Sequence, residues 1–516
     1  MAKFLKSLLH PLRIIFSRTA VTLILIFAEL LALLVMFRWL QPHLPWIEGI
    51  IRLVAAVTAL RIISRGIHPS SDMMWVLIIL MIPVGGILVW WIVEGYFAHR
   101  SRTYLNLRNE TAMAKKYYAQ DEMTLRYAEN DSQEYPGQIR SISEGSGFPV
   151  YENRGYTYYG TGEEGFAAML ESLRQAEKFI FMEYFTIEPG KMWSAILDVL
   201  KSKAARGVEV RVMYDDMGSF QTLPASYTDQ LESFGIRAMV FNRVNPLVNG
   251  VMNHRDHRKI LVIDGKTAFT GGINIADQYI NETHPYGFWK DNCVKITGNA
   301  VWSFTVMFLS QWNALNKEDA DYRKYKADLV FGGQTDGWVA PYADTPLDDR
   351  LTGQDIYINI LNQAKKYCYI FTPYLIIDSD MRSSLIRAAQ RGVDVAIITP
   401  GIPDKKIVYS ITRSYYRCLI AGGVKIFEYT PGFDHAKVFV CDDTIATVGT
   451  INLDYRSLYL HFEDGTYLYG SSEILKIRDD AKDAMSRSHQ VTFAESRVNG
   501  LKKAAVAVVR VFAPLM

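Results

Sequence analysis

Two short stretches of this sequence carry a histidine and a lysine at the same spacing. The first holds His257 and Lys259, and the second holds His435 and Lys437. An imidazole can act as a nucleophile or as an acid and base, and a nearby ammonium group supplies positive charge. Two such pairs brought together therefore predict a pocket for a tetrahedral oxyanion such as a phosphate.

The match between the two stretches extends further along the chain. Asp264 and Asn274 follow the first pair at the distances at which Asp442 and Asn452 follow the second. Each residue of the second set lies 178 positions after its counterpart. A lone His-x-Lys is common on solvated strands, but two extended sets in register indicate a duplicated half-site. We expect the two halves to close into one active centre.

The predicted chemistry is phosphoryl-centred and uses both histidines. One neutral imidazole would attack phosphorus and form a phosphohistidine. The other would protonate the leaving alcohol and then deprotonate the incoming one, with ordinary imidazole titration placing both roles near neutrality. The lysines would stabilise charge on the phosphoryl oxygens, and Asn274 and Asn452 would add neutral donors. This scheme needs no metal or cofactor, and the four cysteines are isolated.

Two further carboxylates occupy matching positions in the repeat. Asp291 and Glu463 each precede, by the same distance, a glycine that ends the strand, and we expect each to orient the histidine of its own half. Asp264 and Asp442 lie too far along their strands to share the histidine face, which favours a turn or inter-strand role. The remaining histidines considered lack a repeat partner and are expected in loops, on the surface or in the core: His254, His284, His461 and His489.

The elements around these motifs also repeat. Residues 205–212 and 390–397 both pass from a helical pattern through Arg-Gly-Val into an alternating strand. Strands that alternate with helices predict an α/β fold with two similar sandwich halves. We place the first half at residues 139–325 and the second at residues 326–516.

The first hundred residues differ in composition from the rest. Residues 1–100 hold two long apolar runs, Thr19–Phe37 and Met73–Val93, which predict transmembrane helices. The segment 46–63 between them carries charges and could span, re-enter or lie at the interface. Basic residues before the first run and after the last favour two crossings with a cytoplasmic catalytic region. Residues 101–138 are expected to form a polar linker.

These residues resemble the phospholipase D superfamily through its duplicated HxKxxxxD signature. The likeness is closer to the bacterial cardiolipin synthase branch and covers nearly the whole chain. The segments that carry it are 253–265, 271–277, 402–406, 412–416, 429–437, 449–457 and 461–463.

The resemblance implies two phospholipase D-like α/β/α sandwich halves that form one active site behind N-terminal membrane helices. It implies the joining of two phosphatidylglycerols into cardiolipin with release of glycerol, in a multi-pass protein of the bacterial plasma membrane. It also implies His257 as nucleophile and His435 as general acid and base, and it carries Asp264 and Asp442 into the catalytic set. The alternatives are a phospholipase D-type hydrolase and another phosphatidyltransferase. The formal charge of only +2 argues against a nucleic-acid partner.

Overall fold

The structure is a computed structural model of the 516-residue chain. It describes residues 35, 45–65, 69–93, 102–132, 135–243, 254–328, 334–348, 350–497 and 500–511. The chain divides into two compact units. One comprises residues 1–104 with 244–252, and the other comprises residues 105–243 with 253–516.

The N-terminal unit contains three helices that contact one another: α1 (Pro45–Arg65), α2 (Pro69–Met81) and α3 (Pro83–Val93). Each begins with proline. Proline suits the first helical position, because a backbone N–H there would have no hydrogen-bond acceptor within the helix. The expected span Met73–Val93 is wrong as a single helix, because Pro83 divides it. The chain bends there so sharply that a Cβ on Gly86 would lie 2.7 Å from the Ile79 Cα atom.

Segment 46–63 forms most of α1, whose first turns carry an ion pair between Glu48 and Arg52. The predicted span Thr19–Phe37 lies outside the described residues, apart from Val35. Among the helices that the structure describes, none combines the length and apolar character required to cross a bilayer.

The residues expected to form a polar linker are largely helical. They contribute three helices: α4 (Arg102–Ala114), α5 (Glu122–Asp131) and α6 (Pro136–Arg140). The Trp338 indole donates to Asp131 at 3.0 Å, and the Tyr135 hydroxyl donates to Asp442 at 2.8 Å. The end of this segment is therefore tied to residues of the predicted second half.

A seven-stranded sheet forms the centre of the first half, in the order β2-β9-β7-β6-β3-β4-β5. Strands β3, β4 and β5 are parallel, and the other neighbours are antiparallel. Its strands are β2 (Tyr156–Tyr159), β3 (Phe179–Tyr184), β4 (Glu209–Asp215), β5 (Arg237–Phe241), β6 (Lys259–Ile263), β7 (Thr267–Gly271) and β9 (Cys293–Thr297).

A nine-stranded sheet forms the centre of the second half, in the order β1-β10-β19-β17-β16-β11-β13-β14-β20. Its run β19-β17-β16-β11-β13-β14 repeats the run β9-β7-β6-β3-β4-β5 of the first sheet. The strands are β1 (Tyr151–Glu152), β10 (Trp338–Asp344), β11 (Tyr367–Phe371), β13 (Asp394–Pro400), β14 (Lys425–Tyr429), β16 (Val438–Cys441), β17 (Ile445–Gly449), β19 (Glu463–Tyr469) and β20 (Ser488–Gln490). The prediction of a mixed α/β fold with a duplicated core is confirmed.

Helices surround both sheets. In the first half they are α7 (Gly162–Gln175), α8 (Lys191–Ala204), α9 (Asp216–Ser219), α10 (Tyr227–Glu232) and α11 (Val301–Asn316). In the second half they are α12 (Thr352–Gln363), α13 (Ser379–Gln390), α14 (Lys406–Ala421), α15 (Tyr455–Tyr459), α16 (Glu473–Ser486) and α17 (Gly500–Val511). Helix α11 is buried almost along its whole length and contacts strands of both sheets, as its apolar residues on every face require.

Two short parallel pairings complete the catalytic unit. Strand β8 (Phe288–Lys290) of the first half pairs with β15 (Gly432–Asp434) of the second, and β12 (Leu375–Ile376) pairs with β18 (Leu453–Asp454). A single bridge between Asp256 and Phe462 repeats the first of these pairings on the other side. The β8–β15 pairing and the Asp256–Phe462 bridge join the two halves and bring the two motif segments together.

Candidate active site

The two motif histidines lie on extended segments that immediately precede strands β6 and β16. The backbone N–H of His257 donates to the Phe462 carbonyl at 2.9 Å, and that of His435 donates to the Lys290 carbonyl at 2.7 Å. Each acceptor belongs to the opposite half, so each histidine is positioned by the other half's backbone. Both imidazoles line one cavity of about 950 Å³.

The orienting carboxylates are exchanged between the halves. Nδ1 of His257 lies 2.9 Å from both carboxylate oxygens of Glu463, and Nδ1 of His435 lies 2.7 Å from Oδ2 of Asp291. The expectation that each carboxylate orients the histidine of its own half is therefore wrong. The bridges between the halves place each carboxylate beside the histidine of its partner half, a geometry that sequence spacing does not contain.

Burial controls the protonation of the two imidazoles. It lowers the pKa of His257 to about 3, with Glu463 opposing the shift. Burial and then the charge of Lys437 lower the pKa of His435 to about 4, with Asp291 opposing. Burial thus shifts both pKa values below that of an unperturbed imidazole, which was the basis for expecting both roles near neutrality. Burial therefore favours the neutral form of both rings in the free protein, and a carboxylate at Nδ1 leaves the lone pair on Nε2.

The two carboxylates keep their negative charge despite full burial. Burial by itself raises the pKa of Glu463, but the facing His257 lowers it further, so the net pKa lies below its ordinary value. The same balance with His435 holds the pKa of Asp291 below its ordinary value. Each histidine therefore faces an ionised acceptor that can stabilise an imidazolium.

The motif lysines lie behind the cavity wall and are 1% exposed. Nζ of Lys259 donates to the His257 carbonyl at 2.7 Å, and Nζ of Lys437 donates to the carbonyl of His435. Burial lowers the pKa of Lys259 to about 8 and that of Lys437 to about 7. An anion in the cavity would stabilise both ammonium groups, because they have lost their contact with water.

The two motif asparagines both line the cavity but differ in their bonding. The Asn274 carbonyl accepts from the Thr186 N–H at 3.1 Å, and its amide donates to the Tyr279 hydroxyl at 2.8 Å. Asn452 is also buried, yet its Oδ1 has no hydrogen-bond partner among the described residues. The second half therefore offers a ligand an acceptor oxygen whose counterpart in the first half is already hydrogen-bonded.

The motif aspartates do not join the cavity, so their inclusion in the catalytic set is corrected. Asp264 accepts three backbone N–H bonds of 2.7–2.9 Å from residues 177–179, and Asp442 accepts three of 2.7–2.9 Å from residues 365–367. Both adopt positive φ, 54° and 55°, at the far ends of β6 and β16. They tie the preceding loops to the turns, as their distance along the strand indicated.

Two residues that sequence reasoning missed flank the histidines. The His461 ring lies 5.6 Å from that of His257, and the Trp289 ring lies 5.6 Å from that of His435. Both ring nitrogens of His461 lack a hydrogen-bond partner among the described residues, although Nδ1 lies 3.6 Å from Glu463. His461 and Trp289 each stand two residues before an orienting carboxylate, a shared position that could have identified them.

The repeat position next to each orienting carboxylate holds a different residue in the two halves. The Thr450 hydroxyl donates to Oε2 of Glu463 at 2.5 Å. Its counterpart in the repeat is Gly272, where an added Cβ would lie 1.8 Å from Oδ1 of Asp291. Asp291 therefore occupies the volume that a side chain at position 272 would need.

Among the described residues, one group of side chains at the cavity wall has ligand atoms that could hold a metal ion. His257, His461 and Glu463 offer ligand atoms within 4.8 Å of one another. A metal there would replace the proton that His257 shares with Glu463. Lys259 and Lys437 lie behind the same wall, and their positive charge favours an anion in this cavity.

Comparison with known proteins defines the class. Residues 169–297 and 357–484 match the protein family described as cardiolipin synthase, PLD-like domain. The crystal structure of phosphatidylserine synthase from Haemophilus influenzae Rd KW20 is similar with a TM-score of 0.55, at 17% identity over 74% of this chain and 97% of that one. That likeness shows a shared fold. The two matched stretches contain both histidine motifs, so the fold carries a duplicated phospholipase D-like domain.

Full-length relatives define the family more closely. Cardiolipin synthase 2 of Bacillus anthracis is 34% identical over 429 residues, which are 82% of each chain. An uncharacterized protein of Streptococcus mutans is 44% identical over 461 residues, 89% of this chain and 99% of that protein. The chain belongs to the cardiolipin synthase family.

Proposed function

We propose that the protein is a cardiolipin synthase. It moves a phosphatidyl group from one phosphatidylglycerol to the headgroup hydroxyl of another, giving cardiolipin and glycerol. The observation that carries this proposal is the pair of imidazoles in one cavity, each held at Nδ1 by a buried carboxylate of the opposite half. The activity named for the full-length relatives supports the same assignment.

In the first step Nε2 of His257 attacks phosphorus, and the bond from phosphorus to the glycerol oxygen breaks. The leaving oxygen takes a proton from His435, and Glu463 stabilises the positive charge that develops on the attacking ring. The anionic phosphodiester raises the pKa of His435 on binding, which allows that ring to carry the required proton. The assignment of His257 as the attacking ring follows the family.

In the second step the headgroup hydroxyl of another phosphatidylglycerol enters the place that glycerol has left. His435 removes its proton while the oxygen attacks phosphorus and the phosphorus–nitrogen bond to His257 breaks. His257 regains its lone pair, and His435 regains the proton that the next cycle needs. The bonds made and broken in the two steps are of the same kinds, so the transfer is reversible.

The lysines supply the charge stabilisation in this scheme. A bound phosphodiester would draw Nζ of Lys259 and Lys437 away from the histidine carbonyls and towards the non-bridging oxygens. Two cations fixed in a water-poor site stabilise the developing charge more effectively than in water. The unpaired Oδ1 of Asn452 is available to accept from a substrate hydroxyl.

Aromatic cavity walls support transfer to a lipid alcohol in place of water. The rings that line the cavity are Phe185, Tyr279, Trp289, Tyr374 and Phe433. The faces of these rings offer water no strong hydrogen bonds beside the phosphohistidine. A phospholipase D-type hydrolase would share the first step and use water in the second, so product analysis separates the two functions.

The cellular placement forms part of this proposal. The N-terminal unit exposes apolar side chains on α1, including Trp46, Leu53 and Leu60, and the family acts on phospholipids. We place the protein in the bacterial plasma membrane as a multi-pass protein with a cytoplasmic catalytic unit. The proposed domains are a membrane region at residues 1–100, a linker at 101–138 and the two halves at 139–325 and 326–516. Cysteine labelling of intact cells tests this topology. A thiol reagent that does not cross the membrane should label Lys6→Cys and Arg102→Cys only after the membrane is permeabilised.

Product analysis in vesicles tests the function. The purified full-length protein is incubated with phosphatidylglycerol vesicles, and lipids and water-soluble products are resolved. We expect cardiolipin and glycerol in equal amounts. Phosphatidic acid as the main lipid product would overturn the assignment.

Single histidine variants test the shared centre. His257→Ala and His435→Ala should each abolish turnover, because each step needs both rings. The matched control is His489→Ala, since His489 is half exposed and lies outside the cavity. Substantial turnover by either cavity variant would contradict a single centre.

A further inference from the structure

Exposed apolar and basic side chains line the mouth of the catalytic cavity. Met217 comes from α9 of the first half, and Lys405, Lys406 and Ile407 stand at the start of α14 in the second. Met217 is 42% exposed and Ile407 is 64% exposed. We call these four residues the rim surface. It combines apolar and cationic groups from both halves beside one opening.

The two lysines of the rim surface do not stabilise helix α14, at whose start they stand. The first turn of α14 contains no acidic residue, and cations near a helix N-terminus oppose the helix dipole. Among the described residues no carboxylate pairs with Lys406. Lys405 lies 4.0 Å from Asp404, whose carboxylate accepts a shorter bond of 2.6 Å from the Tyr374 hydroxyl. The Lys406 ammonium group is therefore available to an external anionic partner, while that of Lys405 has only the long contact with Asp404 and lies 5.4 Å from the centre of the Tyr374 ring.

The position of the rim surface fits a lipid bilayer. The histidines are buried at the cavity wall, so a phospholipid must insert its headgroup while its two acyl chains extend outwards. Each methylene moved from a bilayer into water costs free energy, so the chains remain in the bilayer during the reaction. A cavity mouth with apolar and cationic side chains meets both the acyl region and an anionic headgroup layer.

We propose that the rim surface docks the catalytic unit onto an anionic lipid bilayer. Met217 and Ile407 enter the acyl boundary, while Lys405 and Lys406 bind the phosphates of neighbouring lipids. A phosphodiester can then reach the histidines without the lipid leaving the bilayer. The choice of phosphatidylglycerol as substrate rests on the proposed function, whereas the docking contact can be measured without turnover.

A fluorescence-quenching experiment tests the contact directly. Ile407→Cys in the full-length chain is labelled with an environment-sensitive fluorophore and placed in phosphatidylglycerol vesicles that contain brominated acyl chains. The matched control is Leu475→Cys, because Leu475 is an exposed apolar residue, at 42% against 64% for Ile407, and does not line the cavity. Strand β19 runs from Glu463 at the site to Tyr469, and Leu475 lies beyond that distant end.

We expect bromine to quench the label at position 407 several-fold more strongly than the label at position 475. The unmodified chain, treated identically, gives the background from its native cysteines. Equal quenching at the two positions would overturn the proposal. A blue-shifted label at 407 that bromine does not quench would also overturn it, because that result indicates a protein occupant such as a second copy of the chain.

Kinetics provide a second, independent test. Lys406→Gln should raise the vesicle KM by about fivefold, the effect of one cation near an anionic surface. Met217→Ser with Ile407→Ser should raise it further, and both losses should be larger for vesicles than for short-chain monomeric phosphatidylglycerol. Leu475→Ser should match the unmodified protein. Equal losses on both substrates would overturn docking, whereas phosphatidic acid in place of cardiolipin would overturn only the proposed function.

Discussion

At the scale of residues, the two orienting carboxylates have different partners. Glu463 accepts from His257 and from the Thr450 hydroxyl, whereas Asp291 faces His435 and accepts the backbone N–H of Asn292 at 2.8 Å. The repeat therefore supplies two similar histidine sites whose orienting carboxylates are held by different hydrogen-bond partners. Unequal support is compatible with a nucleophile on one side and an acid and base on the other.

The pH dependence of kcat/KM follows from the buried cations and imidazoles. A lysine or histidine is charged only below its pKa, and here burial lowers the pKa to about 4 for His435, 7 for Lys437 and 8 for Lys259. The scheme needs all three protonated, so kcat/KM should fall as pH rises from 5 and fall more steeply above 7. Initial rates on short-chain phosphatidylglycerol measure this profile, and a rise between pH 6 and 8 would contradict it.

His461 should contribute to substrate binding, because it lies on the cavity wall beside His257. Both its ring nitrogens lack a hydrogen-bond partner among the described residues, and Nδ1 lies 3.6 Å from Glu463. Removing one hydrogen bond to a charged phosphodiester corresponds to about a tenfold loss. We expect His461→Phe to lower kcat/KM by about that factor, while His489→Phe has no effect. Unchanged kinetics in His461→Phe would assign the residue to packing alone.

Gly272 should be intolerant of any side chain. The Cβ of Gly272→Ala would lie 1.8 Å from Oδ1 of Asp291, so that carboxylate must turn away from His435. A displacement of this size in a catalytic site can lower turnover by about 100-fold. Gly137→Ala is the matched control, because nothing lies within 4 Å of its Cβ. Normal turnover by Gly272→Ala would show that Asp291 does not orient His435.

At the scale of elements, the motif aspartates hold loops against strand turns. Burial raises the pKa of Asp442, but its backbone N–H partners lower it further, so the net pKa lies below its ordinary value. A lowered carboxyl pKa stabilises the fold above the unfolded pKa, and that stability is lost as pH falls through the folded pKa.

Substitution of Asp442 should therefore affect stability more than chemistry. Asp442→Asn keeps one oxygen acceptor and loses the charge that three N–H groups and the Tyr135 hydroxyl share, which should cost about 2 kcal/mol at pH 7. Thermal unfolding should show a lower Tm, while the folded variant retains turnover at low temperature. Loss of turnover with an unchanged Tm would return Asp442 to the catalytic set.

The sequence predicted those elements that depend on local pattern. The repeated Arg-Gly-Val turns mark the starts of β4 and β13, and the spacing of the motifs places two histidines on equivalent segments. Hydrophobic periodicity is enough for such predictions, because the pattern of a strand or a helix depends on residues that are close in sequence.

The remaining features depend on contacts between distant segments. The exchange of Asp291 and Glu463 arises from pairings between the halves, which spacing within one half cannot reveal. His461 escaped notice because its repeat counterpart is a tryptophan. The apolar run Met73–Val93 predicted one helix from its hydropathy and its terminal tryptophans, but Pro83 within it marks a helix boundary.

At the scale of the whole molecule, the catalytic unit depends on both halves at once. Each half supplies one histidine, the carboxylate for the other half's histidine and the carbonyl that accepts its backbone N–H. Neither half alone contains a complete pair. This exchange explains physically why the motif is present twice and why both copies keep histidine and lysine.

The central claim is that a phosphatidyl group passes through His257 with support from Glu463 of the opposite half. The most direct measurement is to quench the full-length protein during turnover in alkaline denaturant, digest it and locate the adduct by mass spectrometry. We expect a phosphatidyl group on His257, none on His435, and much less adduct in Glu463→Gln. An adduct on His435, or cardiolipin formed without any histidine adduct, would contradict it.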